Sequence, residues 1–144
     1  MVVGVYGLGR FGAFWAAELG KRFDVIAWSR NSDRPCPENV RRVGEEELLR
    51  ADVLVLCVAI SALEEVLRRI AGKLKPGTLV MDTCSVKVHP ARVMEKLPPE
   101  DVNILATHPM FGPDSGKHGL DGLPLVFSPV RMPEPMGDLW RDHL

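Results

Sequence analysis

Val2-Val3-Gly4-Val5-Tyr6-Gly7-Leu8-Gly9-Arg10-Phe11-Gly12 stands at the very start of the chain. An apolar run, Val2 to Tyr6, leads into glycines spaced G-x-G-x-x-G, and the residues from Phe11 to Arg22 read as a helix. Strand, glycine loop, helix is the order a dinucleotide-binding fold requires. Gly7 permits the tight turn, Gly9 lets the backbone approach a pyrophosphate, and Gly12 lets the helix pack closely on the strand. The free N–H groups and dipole of the helix start then favour the phosphate charge. Leu8, Arg10 and Phe11 complete the loop, with Arg10 offering a further contact. Asp24 to Trp28, a second strand, closes the βαβ unit.

The alternation continues outward. A short strand over Val40–Val43 and a small helix over Glu45–Arg50 precede Val53-Leu54-Val55-Leu56-Cys57-Val58, whose continuous apolar character marks a central strand covered on both faces. A helix is expected over Ser61–Leu74, with Ser61 as its cap and Lys75-Pro76-Gly77 as its stop. Strands over Thr78–Asp82 and Asn103–Ala106 flank a helix over Pro90–Leu97, and a last strand over Leu125–Ser128 precedes a proline-punctuated tail with a short helix over Met136–Leu144. This is an α/β chain of Rossmann type: a doubly wound, mainly parallel sheet whose ligands bind at the carboxyl ends of the strands. Residues 1–131 are read as the nucleotide-binding domain and 132–144 as a short tail.

Composition agrees with a soluble globular domain. The 144 residues are 46% hydrophobic and 26% charged, with a net charge of −1 and no basic cluster to attract nucleic acid. No apolar run approaches the ~20 residues that span a bilayer. Met1 leads straight into a strand without an export signal, so a cytoplasmic location is expected. Cys36, Cys57 and Cys84 have neither metal-ligand nor redox-pair spacing and read as reduced thiols in or near the core. A small-molecule partner is expected, with no bound metal.

The end of the second strand sets cofactor choice. An NAD-preferring domain places a carboxylate there for the ribose hydroxyls, whereas this chain has Ser29-Arg30, followed by Arg34. A hydroxyl and a guanidinium suit a 2′-phosphate, so NADP is expected. Cys57, Val58 and Ser61, after the central strand, are further candidates to line the cofactor.

Two more segments, Asp82-Thr83-Cys84-Ser85-Val86-Lys87 and Thr107-His108-Pro109-Met110-Phe111-Gly112-Pro113, follow expected strands and converge on the same edge. His108 is the candidate acid/base, because imidazole titrates near neutrality and can take a proton as hydride leaves the same carbon. Ser85 would hold the same hydroxyl or orient the imidazole, unless it merely caps the next helix. Lys87 is a candidate partner for a substrate carboxylate.

In their order these motifs, with Trp28-Ser29-Arg30 and Asp114-Ser115-Gly116-Lys117, resemble the prephenate/arogenate dehydrogenase family of tyrosine biosynthesis, most nearly its plant-type NADP-using members. The resemblance covers about residues 1–131. It implies an oxidative decarboxylation: hydride passes from the hydroxyl-bearing ring carbon to NADP, and loss of carbon dioxide gives an aromatic product. The family's catalytic histidine falls on His108 and its serine on Ser85. It also implies a helical second domain that dimerises and completes the substrate pocket. The chain ends at Leu144, so that domain is expected to be absent, with Arg131, Lys117 or a partner chain, in a homo-oligomer or otherwise, replacing its carboxylate contacts. The alternatives are a non-catalytic NADP-binding regulatory or scaffold module and a different small-molecule NADP oxidoreductase.

Overall fold

A computed structural model describes residues 1–143. Its elements in chain order are β1 (Val2–Tyr6), α1 (Arg10–Leu19), β2 (Asp24–Trp28), β3 (Arg41–Arg42), α2 (Glu45–Leu48), β4 (Val53–Leu56) and α3 (Ile60–Ile70), then β5 (Leu79–Asp82), α4 (Val88–Lys96), β6 (Asn103–Pro109), β7 (Leu125–Arg131) and α5 (Glu134–His143). The strands form one seven-stranded sheet in the order β3-β2-β1-β4-β5-β6-β7. Every pairing from β3 to β6 is parallel, and β7 alone runs antiparallel.

Strand alternation splits the apolar side chains between two cores. In β4, Leu54 and Leu56 face α2, α3 and α4 with Leu48, Leu63, Leu67 and Met94, while Val53 and Val55 face α1 with Val3, Val5, Trp15 and Leu19. Both faces of β4 are buried, which is why its sequence is apolar without a break. The helices after β1 and β4 lie on opposite faces, so the crevice between these neighbouring strands is the switch point at which such sheets bind ligands.

Several boundaries differ from the sequence reading. Helix α1 stops at Leu19 rather than Arg22, because the Asn39 amide donates to the Ala17 carbonyl at 2.9 Å and passes where any side chain on Gly20 would stand. Ser61 does not cap α3. The cap position is Ala59, and Ser61 sits exposed in the first helical turn. Pro90 falls inside α4, whose first turn needs no N–H at that position. Strand β6 runs past Ala106 to Pro109, because β7 continues the ladder through Ala106↔Ser128 and His108↔Val126 after β5 has ended. In the short tail after Arg131 the helix starts at Glu134 rather than Met136. Helix α5 buries Trp140 in the second core, with its ring 5.6 Å from that of Phe23. Leu144, where that helix was expected to end, lies outside the described residues.

Candidate functional site

The glycine loop shows three different reasons for glycine. Gly7 has φ +103, and a Cβ there would lie 2.5 Å from the Cys57 carbonyl oxygen. A Cβ on Gly12 would lie 1.9 Å from the Gly7 carbonyl oxygen and 3.1 Å from the Cys57 Cβ. These two pack the loop against itself and against the strand end beneath. At Gly9 a Cβ would meet nothing within 4 Å. Gly9 is the cap residue of α1 and offers the first-turn N–H groups no side-chain acceptor of its own. That open space fits a pyrophosphate approaching the backbone. Leu8 turns its side chain into the second core, and Phe11 stacks on Trp15 with ring centroids 6.2 Å apart, so both serve the site by shaping the loop.

Cys57 and Val58 form the floor of this loop: the Cys57 N–H donates to the Tyr6 carbonyl at 2.9 Å, and Val58 Cγ1 comes 3.7 Å from the position of a Gly7 Cβ. Burial pushes the Cys57 thiol up to about 12. Burial, with the charge of Asp82, pushes Cys84 up to about 11, so neither thiol supplies a thiolate nucleophile near neutrality.

The Gly7 N–H donates to the Trp28 carbonyl at 2.8 Å, which ties the loop to the end of β2. Ser29 there is half-buried, and Arg30 and Arg34 are exposed. A network that the sequence reading missed braces this corner. The Tyr6 hydroxyl donates to Glu45 Oε1 at 2.6 Å, Arg69 pairs with Glu45 at 2.7 Å and donates to the Tyr6 hydroxyl, and the Arg69 guanidinium lies 6.0 Å from the Trp28 ring centroid. Burial and Glu45 raise the Tyr6 pKa, and the charges of Arg69 and Arg30 oppose the rise. No local motif announces this group, since its members come from β1, β2, α2 and α3.

At the ends of β5 and β6 the organising residue is Asp82, which is fully buried. Its Oδ1 accepts the Thr107 N–H at 3.0 Å, and its Oδ2 accepts the Cys84 N–H at 3.0 Å together with Lys87 Nζ. Lys87 also donates to the Thr107 carbonyl, and the Thr107 hydroxyl donates to the Asp82 carbonyl. Lys87, the sequence candidate for a substrate carboxylate, thus has two of its three N–H donors engaged within the protein. Ser85 is exposed and does not cap α4, whose cap position is Lys87. His108 is half-buried on β6, and among the described residues neither its imidazole nor the Ser85 hydroxyl has a hydrogen-bond partner. The structure brings both to the strand ends that also carry the glycine loop.

The segment after β6 folds back over α1. Phe111 packs 5.5 Å from Trp15 and 6.4 Å from Phe14, Gly116 lies where a Cβ would press on the Phe14 ring, and Arg10 makes two bonds of 2.7 Å to the carboxylate of Asp114. Arg10 is therefore held beside the cradle by an acidic residue. Arg131, expected near a substrate, lies elsewhere: its guanidinium donates to the carbonyls of Val102, Glu95, Pro98 and Pro99 near the start of β6. Lys117 is exposed. Exposed large apolar side chains, Ile60, Val86, Val88 and Met110, follow β4, β5 and β6 around the site.

Residues 38–129 match the family model described as "Prephenate dehydrogenase, nucleotide-binding domain". Arogenate dehydrogenase 2 of Arabidopsis thaliana, named as chloroplastic, is 39% identical over 90% of this chain and 38% of its own length. Its paralogue, arogenate dehydrogenase 1, also named as chloroplastic, is 36% identical over 90% of this chain and 21% of its own length. The chain thus spans between about a fifth and two-fifths of these relatives. The crystal structure of Synechocystis arogenate dehydrogenase superposes with a TM-score of 0.77 at 26% identity, covering 98% of this chain and 55% of that one.

Proposed function

The chain belongs to the prephenate dehydrogenase family, as its nucleotide-binding domain, and from that premise we propose that it carries out the NADP-dependent oxidative decarboxylation of prephenate or arogenate. The cofactor class is a nicotinamide dinucleotide. The observation that carries the reading is the placement of Ser85 and the half-buried, unpartnered imidazole of His108 on the strand edge that holds the open cradle at Gly9.

When bound, the dinucleotide supplies the hydride acceptor. The chain's own residues do the rest. The N–H groups of the first α1 turn hold the pyrophosphate, with Gly9 leaving room for it. Ser29 and Arg30, the two residues that directly follow β2, receive the 2′-phosphate. Ser85 holds the substrate hydroxyl, and His108 takes its proton as hydride leaves the same carbon. Loss of the ring carboxylate as carbon dioxide then makes the ring aromatic, which drives the reaction forward. Ile60, Val86, Val88 and Met110 leave an apolar rim around this edge, which supports a substrate pocket closed by further protein, in a homo-oligomer or with a partner chain. A cytoplasmic location belongs to the same reading, although both Arabidopsis relatives are named as chloroplastic. No described helix is long and apolar enough to cross a membrane.

The test is NADPH formation with arogenate and prephenate in parallel, beside a His108→Asn variant. Turnover lost in the variant with NADP affinity retained supports the assignment. Tight NADP binding with no turnover of either substrate refutes it and favours a binding module.

A further inference from the structure

We propose that Asp82 and Lys87 are positioning residues, which hold Ser85 and His108 in one arrangement; the inference rests on the proton-transfer role given to His108. The β5–β6 ladder ends at Met81↔Leu105, and β6 then runs four residues further, to Pro109, with β7 on its other edge. Thr107 lies in that overhang, beyond the last ladder pair with β5, so the ladder on that side does not reach its backbone N–H and carbonyl. Side chains do so instead: Asp82 takes its N–H, and Lys87 holds its carbonyl. That carbonyl belongs to the peptide bond joining Thr107 to His108. The other Asp82 oxygen takes the N–H of Cys84, the residue before Ser85. One buried carboxylate therefore fixes the backbone immediately ahead of both polar groups of the site.

A buried ion pair is a costly way to gain stability, and an apolar pair of the same size is often as stable. An apolar pair would not satisfy the Thr107 N–H, the Thr107 carbonyl and the Cys84 N–H together. Geometry is what the charged pair supplies. It also accounts for Lys87 without a substrate contact, because the ammonium faces into the protein onto Asp82 and Thr107.

The experiment compares Lys87→Met, Lys87→Arg and Asp82→Asn in the full-length protein by steady-state kinetics and by NMR of labelled histidine rings, with His108→Asn assigning the resonance. A misplacement of about 1 Å at a reacting group costs up to about a hundredfold in rate. The expected result is a kcat about 10- to 100-fold lower in Lys87→Met at nearly unchanged substrate KM, substantial recovery in Lys87→Arg, and a His108 ring line that broadens or splits in Lys87→Met. Unchanged kcat with a single sharp His108 line overturns the proposal. So does a raised substrate KM at unchanged kcat, which would make Lys87 a substrate ligand. The NMR line needs no turnover, so if the parent protein acts on neither substrate the functional reading falls while the line still decides positioning. If Asp82→Asn does not fold, the two Lys87 variants carry the comparison.

Discussion

Replacing Gly9 by alanine separates cofactor binding from folding more cleanly than any other change in the loop. The Gly9 backbone, at φ −67 and ψ −174, is open to every residue, and a Cβ there meets nothing within 4 Å. Restricting the unfolded chain stabilises by about 0.4–1 kcal/mol, and the poorer capping preference of alanine offsets a similar amount. Net stability should therefore move by less than about 1 kcal/mol, or about 4 °C in Tm. The added methyl does, however, project into that open space at the start of α1. Losing one charge-assisted hydrogen bond there, at about 1.5–3 kcal/mol, weakens NADP binding roughly 10- to 100-fold. Titration calorimetry with NADP and a thermal melt measure the two effects. An unchanged Kd, or a melt lowered by much more than that margin, would refute the assignment of the open space to the pyrophosphate. The contrast is Gly12→Ala, whose Cβ would lie 1.9 Å from a backbone oxygen. That variant should lose about 3 kcal/mol of stability through overpacking.

Arg30→Ala should raise KM for NADP about 10- to 100-fold and leave KM for NAD within about threefold, since one charged hydrogen bond to the 2′-phosphate is lost; equal effects on both cofactors would remove Arg30 from phosphate recognition. Arg131→Met should lower stability by about 2 kcal/mol in urea melts and leave kcat unchanged, because it strips donors from carbonyls at Val102, Glu95, Pro98 and Pro99. The hydrogen bond from Lys75 and the Val2 N–H hold the Asp52 carboxyl below its ordinary value. A depressed folded-state pKa contributes stability that is present above the unfolded pKa, about 4, and is lost as the pH falls through the folded value. The stability gap between the parent and Asp52→Asn should accordingly close on acidification, and a gap that persists at low pH would assign it to packing.

The legible part of the fold was the part coded by neighbours in sequence. The three glycines between an apolar run and a helix announced the loop, and the unbroken apolar stretch of β4 announced a strand covered on both faces. His108 and Ser85 were legible as candidates because motif residues after strands gather at one sheet edge. The length of β6 was not, since its last residues are ordered by pairing with β7, about twenty residues further along the chain. Trp140 read as part of a tail because its burial depends on meeting Phe23 more than a hundred residues away.

The same distinction divides the site. Sequence determined which residues line the sheet edge, because a glycine loop and a strand end are local events governed by backbone sterics and by alternation of apolar side chains. Tertiary structure decided where the candidate cations stand and what they are free to do. Lys87 is turned onto Asp82 and the Thr107 carbonyl, Arg131 is spent on four carbonyls, and Arg10 is held by Asp114. A cation takes the strongest acceptor that the packed chain brings within reach, and that acceptor lies at a distance along the sequence which no motif encodes.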